Sequence, residues 1–258
     1  MSIQLINWSG HKNLGDDAMA QVLLSYFHGS INVGEYPTEA DWYILGGGTL
    51  ISPGSVFYGL MEYPERTIGI SLGVSCNWNG EGVEMLKKMK KIYTRDFFSH
   101  EKLKEFGVEN ILSVDLLCFL KPLGSCKNKE GVWANLMYSE CGSNKSLSQD
   151  LDRARNDLEG KEVNYFALSP DEDVATTPQS EVYTDAQELL ERLSKARTIY
   201  ATRLHAHVLA WVSGCRDIRS IPYDLKIKHF FERVKNLKPY TARKIINNHL
   251  QQIKKIVY

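Results

Sequence analysis

Short apolar runs alternate with stretches of helical spacing from the first residues onward. "IQLINW" (3–8) reads as a strand, and a glycine-containing turn then leads into "DDAMAQVLLSYF", whose apolar positions recur at helical intervals. "DWYILGGG" (41–48) and "RTIGISLGV" (66–74) are further strands, the second followed by a helix over "GVEMLKKMKKI". "YTRDFFSHEKLKEFG" gives a short strand and a helix that Gly107 closes, and "NILSVDLLCFL" ends the first half. The second half repeats the alternation. "GVWANLM" and "EVNYFALSP" are strand-like, "DAQELLERLSKA" is helical, and "RTIYAT" and "DIRSIPYD" are strands before two C-terminal helices.

Strands alternating with helices at this spacing predict parallel sheets built from βαβ units. The polar stretch "KPLGSCKNKEG" (121–131) separates the two runs. The expected fold is therefore α/β, with two Rossmann-like lobes and a cleft between them. The expected boundaries are 1–122 for the N-terminal lobe, 123–231 for the C-terminal lobe, and 232–258 for a C-terminal helix. That helix is expected to pack on the first lobe through Ile245, Ile246, Leu250, Ile253, Ile256 and Val257. In such sheets ligands bind beyond the C-terminal ends of the strands, so the loops there are where chemistry is expected.

Composition narrows the field. The chain has 258 residues, 43% hydrophobic and 24% charged, enough to bury a core. Its 31 basic and 31 acidic residues balance, which argues against a nucleic-acid binder. Five cysteines (Cys76, Cys118, Cys126, Cys141, Cys215) without C-x-x-C spacing read as buried free thiols rather than a disulfide framework or a zinc site. The start "MSIQLINW" has no secretory-leader pattern, and no apolar run reaches a membrane span, so a cytoplasmic location is expected. Charge is nevertheless segregated. Residues 150–191 carry twelve acidic against three basic residues, and residues 226–258 carry nine basic against Glu232 alone. The simplest account is two solvated faces; a sharper one draws the basic C-terminal helix to an anionic membrane surface.

Several loops hold candidate chemistry. "SGHKNLGDDA" (9–18) is neither a P-loop nor a dinucleotide fingerprint, but a helix starting near Asp16 would offer N–H groups to an anion. Either Asp16 or Asp17 is expected to cap that helix, leaving the other for function. "ILGGGTLI" places Gly47 and Gly48 where only backbone can approach a ligand. Arg95 and Asp96 stand at a strand end, where a local ion pair is the simpler reading. In "ATRLHAHVLA" a strand-to-helix turn across 202–205 would bring Arg203, His205 and a helix N-terminus together as a phosphate or carboxylate site. Two histidines satisfied in the core are the competing reading. "IPYDLKIKHFFE" adds Tyr223, Asp224, Lys226 and Lys228 after the last strand.

"NLGDDA", "GGGTLI", "RDFFS", Asp115 in "SVDLL", "TRLHAHVLA" and "PYDLKIKHF" occur in one order. Together, across residues 7–231, they resemble the polysaccharide pyruvyl transferase family. The resemblance implies a glycosyltransferase-B-like, two-lobed fold. It also implies transfer of the enolpyruvyl unit of phosphoenolpyruvate to sugar hydroxyls, usually as a pyruvate ketal, with release of phosphate. On that reading Arg203, Arg95 and Lys226, with Gly47 and Gly48, hold the donor. His205 is the acid, and Asp16 or Asp17 takes the proton of the attacking hydroxyl. Asn13, Trp8 and Asp115 face the acceptor, a sugar or lipid-linked oligosaccharide; Trp42 and Trp78 are further stacking candidates. The first lobe is then the acceptor side and the second the donor side. No metal or cofactor besides the donor substrate is expected, nor any nucleic-acid partner, while peripheral membrane contact and self-association stay open. Within the family the chain is short in its second lobe, and "GISLGVS" (69–75) lacks the usual Gly-Pro ending. Two alternatives stand beside this reading: a nucleotide-sugar-dependent glycosyltransferase of the same fold, and a non-catalytic sugar-phosphate-binding protein.

Overall fold

Among the described residues all strand pairings are parallel, and they form two separate sheets. The structure is a computed structural model that describes residues 1–28, 31–55, 59–60, 62–122, 129–137, 145–221 and 224–258, without side chains at 145–148. Cys118 and Cys215 are buried free thiols, Cys76 is free but exposed, against expectation, and Cys126, Cys141 and Tyr223 lie outside the described residues. The chain folds into two compact units, one of Met1–His11, Asp16–Phe119 and Glu232–Tyr258, and another of Lys12–Gly15 and Leu120–Phe231.

The first unit holds β1 (Ile3–Ile6), α1 (Leu14–Phe27, from its third residue), β2 (Ile31–Gly34), β3 (Trp42–Gly46), β4 (Thr67–Leu72), α2 (Val83–Lys88), β5 (Lys91–Thr94), α3 (Phe97–Glu105) and β6 (Ile111–Leu112). Its strand order is β2-β1-β3-β4-β5-β6. All residues of β1 and β4 are buried, as a parallel sheet covered on both faces requires. The order reverses between β1 and β3, so the loops after these two strands flank the switch point where doubly wound sheets take ligands. Those loops are "SGHKN" and "GGT".

The second unit holds β7 (Glu130–Asn135), α4 (Lys145–Leu158), β8 (Val163–Ala167), α5 (Pro170–Thr176), β9 (Glu181–Val182), α6 (Ala186–Leu193), β10 (Ala196–Ala201), α7 (Leu204–Val212), β11 (Asp217–Ser220) and most of α8 (Leu225–Val234). The order β11-β10-β7-β8-β9 puts its switch point between β7 and β10. Thr202 and Arg203 follow β10 directly. The α/β fold with two parallel sheets is thus the one the periodicity predicts.

Local differences have local causes. The helix expected over "GVEMLKKMKKI" stops at Lys88, because Lys91 and Ile92 pair with Ile68 and Gly69 as the start of β5. β2 was hidden in the sequence because it is an edge strand with only Ile31 buried. Gly107 does close α3: at φ 71° it lets its own N–H reach Lys104 and that of Val108 reach Leu103.

The last helix, α9 (Pro239–Val257), belongs to the first unit. Ala242, Ile246, Leu250, Ile253 and Val257 form one buried stripe at helical spacing. Polar contacts fix its register. Arg243 Nε donates to the Phe119 carbonyl, His249 Nδ1 meets Ser113 Oγ at 2.8 Å, and Tyr93 OH donates to Gln252. Leu250 has no exposed surface. Replacing it with alanine is expected to cost about 3 kcal/mol, measured by urea unfolding; a change below about 1 kcal/mol would show that the helix is not part of this core.

Candidate functional site

The turn between β10 and α7 is organised by a buried carboxylate that belongs to neither element. Asp173, in α5, accepts at Oδ1 from Arg203 Nε (2.5 Å). Its Oδ2 accepts from Asn135 Nδ2 (2.9 Å) and from the backbone N–H groups of Leu168 (2.7 Å) and Ser169 (3.2 Å). Asn135, at the end of β7, uses its Oδ1 to accept from Thr202 Oγ1 (3.2 Å) and the Arg203 N–H (3.3 Å). The ends of β7, β8 and β10 are therefore tied by side chains as well as by strand pairing.

Arg203 is the N-cap residue of α7. Burial disfavours its charge, but Asp173 and then Glu172 outweigh that, and its pKa is raised above the ordinary value. Its two partners differ in kind. The Asp173 side chain is 1% exposed, whereas that of Glu172, bonded to Arg203 Nη2, is 60% exposed. One partner is structural, and the other is free to exchange with solvent ions.

The two histidines of "TRLHAHVLA" have separate roles. His207 is buried, with Nδ1 2.6 Å from the Arg203 carbonyl and Nε2 2.9 Å from Ser220 Oγ. A carbonyl only accepts, so Nδ1 carries the proton and Nε2 accepts from Ser220. Burial pushes its pKa down to about 4, and it serves as a neutral core group. His205, partly exposed in the first turn of α7, lies against Gly15 in the first turn of α1. A Cβ on Gly15 would overlap the imidazole ring. Residues 12–15 are held in this unit by the Leu14 N–H donating to the Leu168 carbonyl (2.8 Å) and by Lys12 facing Asp171 (3.5 Å). The positive ends of α1 and α7 thus meet at His205, beside Arg203. The expected strand-to-helix turn is present, and it brings "NLG" and "TRLH" together.

In the first unit a second polar cluster lies beyond β3, β4 and β5. Gly47 and Gly48 have φ of 71° and 84°, and the Gly73 N–H returns to the Gly48 carbonyl (2.7 Å). Arg95 is buried, donating to Thr49 Oγ1 (2.7 Å) and pairing with Asp96 (3.3 Å). A Cβ on Gly73 would stand 2.6 Å from that guanidinium, so a glycine is needed there. Asp96 also caps α3 by accepting from the Ser99 N–H. Burial raises the Asp115 pKa, against the lowering pull of Arg95. Its Oδ1 accepts from Leu117, and Oδ2 makes no hydrogen bond among the described residues.

The remaining sequence candidates fall as follows. The helix begins at Leu14, two residues earlier than expected, and Asn13 rather than either aspartate accepts from a first-turn N–H, that of Gly15 (3.1 Å). Both aspartates lie inside the first turn, too late in the helix to cap it. Asp17 instead ties the preceding loop by accepting from the Gly10 N–H (2.7 Å). Asp16 lies beside Gly48, its Oδ1 3.4 Å from where a Cβ would be, and its carbonyl accepts from Asn7. Trp8 is exposed and stacks on His11. Trp78 is core, fully buried and donating to the Glu81 carbonyl. Lys226 stands in the first turn of α8, 3.3 Å from Asp224. Asp173, Glu172 and Asn135 were missed. The available signal was three successive acids after "SP", set against the unexplained arginine of "TRLH".

His207 and His249 both have pKa values near 4 when folded, against about 6.5 unfolded. Between those values the unfolded chain binds more protons, so stability falls as pH drops through this window. Thermal melts from pH 7 to pH 4.5 are expected to show that loss, with a shallower slope in His207→Gln. An equal slope in the variant would mean His207 is not held neutral.

Comparison with known proteins adds the family. A search of curated proteins gives no match. Among solved structures the chain is similar to an uncharacterised protein from Klebsiella pneumoniae subsp. pneumoniae NTUH-K2044. That likeness has 15% identity and a TM-score of 0.55, covering 90% of this chain and 87% of that one. At that identity it supports the fold alone. The sequence profile described as "Polysaccharide pyruvyl transferase" matches residues 13–216, from the Asn13 cap through β10 and α7 to the turn before β11. The chain belongs to the polysaccharide pyruvyl transferase family.

Proposed function

We propose that the protein transfers the enolpyruvyl unit of phosphoenolpyruvate to two hydroxyls of a sugar, forming a pyruvate ketal and releasing phosphate. The observation that carries this reading is the meeting of two helix N-termini at His205, two residues along the chain from Arg203, the N-cap residue of α7. Backbone N–H groups, a cation and an imidazole suit a ligand with both phosphate and carboxylate charges. Lys226 and Arg95 are the further donor-binding candidates.

In the proposed reaction His205 delivers a proton to the methylene carbon, leaving a cationic centre at the carbon that bears the phosphate ester. A sugar hydroxyl adds there, and Asp16 takes its proton. Asp16 is preferred to Asp17 because it lies beside the glycine turn at Gly48, while Asp17 is turned to the Gly10 N–H. The bond to the phosphate oxygen then breaks, a second hydroxyl closes the ketal, and its proton leaves with the phosphate. Trp8 and Asp115 are kept as acceptor-side residues, and Asn13 acts through the helix that it caps.

An incoming donor anion displaces Glu172 from Arg203, while Asp173 stays in place. Thermal-shift titration tests both points. Phosphoenolpyruvate is expected to raise the melting temperature saturably. Glu172→Gln, which removes the competing charge, is expected to bind it several-fold more tightly. Stabilisation by a uridine or guanosine diphosphate sugar, and not by phosphoenolpyruvate, would overturn the reading. Equal affinity in Glu172→Gln would remove Glu172 from it.

A further inference from the structure

In a parallel βαβ unit each helix runs back against its strands, so helix C-termini gather at the edge where strands begin. In the first unit this edge is strongly basic. The last turn of α2 carries Lys87 and Lys88, that of α3 carries Lys102 and Lys104, and that of α9 carries Lys254 and Lys255. Such lysines offset the negative ends of their helices, and three are answered locally, Lys87 by Glu84 (2.8 Å), Lys102 by Glu105 (3.7 Å) and Lys104 by Glu101 (3.3 Å). Lys90 and Lys91 have no such role. Lys90 lies between α2 and β5 and Lys91 opens β5, its Nζ 5.7 Å from the Tyr93 ring centroid; among the described residues neither has a carboxylate within 4 Å.

Lys87, Lys90, Lys91 and Lys104 line one open groove of about 950 Å³. Its wall also holds one acid, Glu109, and an apolar strip of Ile111, 37% exposed, and the partly exposed Ile256. The groove lies at the strand N-termini, the opposite end of this sheet from the glycine turn and Arg95. It lacks the parts of a discrete phosphate site: no arginine fork lines it, and the helices around it offer C-termini. Flexible lysines around an apolar strip suit a diffuse layer of phosphates above hydrocarbon instead.

We propose that this groove is a peripheral contact for an anionic phospholipid bilayer, with the four lysines at the headgroup phosphates and Ile111 and Ile256 at the interface. The sequence had suggested the C-terminal helical region for such a contact. Two of its cations are used internally, Arg233 on the Ser113 carbonyl and Arg243 on that of Phe119. The basic surface is built mainly by α2, β5 and α3. Among the described residues no helix is long and apolar enough to cross a membrane. The contact does not depend on the reaction assigned above.

Co-sedimentation with phosphatidylcholine vesicles, with and without about 30 mol % phosphatidylglycerol, is the test. The full chain is expected to pellet with the anionic vesicles only, and to be released by high salt. The variant Lys87→Glu/Lys90→Glu/Lys104→Glu is expected to lose at least ~10-fold in binding while staying folded at the assay temperature, its melting temperature lowered because two of these lysines answer helix C-termini; about 1 kcal/mol per lysine corresponds to more than that loss of binding. Ile111→Asp gives an independent, charge-sparing variant with a smaller loss expected. Wild-type protein left in the supernatant, or equal pelleting of the triple variant, would overturn the proposal. So would saturable stabilisation by glycerol phosphate, or binding to a soluble polyanion without vesicle binding, if either depended on these lysines.

Discussion

The Asp173 carboxylate is almost wholly removed from water and accepts hydrogen bonds from Arg203, Asn135 and two backbone N–H groups. An ion in such a place is tolerable only when its oxygens are saturated with donors and a countercharge lies close. Both conditions are met by groups from the ends of three strands, so the strand ends are held wherever the ion is satisfied. Arg203 is the countercharge. That duty fixes its Nε on Asp173 and leaves its Nη2 facing an exposed carboxylate. The same side chain thus links the stability of the second sheet to the charge of the surface where an anion would arrive.

Topology then accounts for which loops carry the motifs. Each sheet reverses its order once, between β1 and β3 in the first unit and between β7 and β10 in the second, and motif loops follow three of these strands. The loop after β1 has a divided allegiance: Trp8 to His11 stay with the first unit, while Lys12 to Gly15 are held by Leu168 and Asp171 in the second. Gly15 is a glycine because the His205 ring occupies the space of its side chain. Two motifs separated by nearly two hundred residues are therefore one feature of the folded chain.

Much of the architecture was legible in the alternation of apolar runs, because parallel strands buried on both faces write themselves as continuous Ile, Leu and Val. What failed was local. β2 is a half-exposed edge strand with little apolar pattern, and the end of α2 was misread because Lys90 and the opening Lys91 and Ile92 of β5 also fit a helix. The β10–α7 turn was legible because its cations interrupt an apolar run. Asp173 was not, since a buried carboxylate looks like a solvated one until its donors are seen, and it sits in the most acidic stretch of the chain. Asn13 displaced the aspartates as helix cap for a similar reason. Asn and Asp cap equally well, and spacing alone could not place the first turn.

If the Asp173–Arg203 pair is the constraint on which the second sheet depends, the two residues must be energetically coupled. The direct measurement is a double-mutant cycle on Asp173→Asn, Arg203→Met and the pair, followed by urea unfolding. Each single variant should lose roughly 3–5 kcal/mol, because each strands a buried ion. The double variant should lose little more than either alone, a coupling of at least about 2 kcal/mol. Additive losses, or a single Asp173→Asn change under about 1 kcal/mol, would contradict the account.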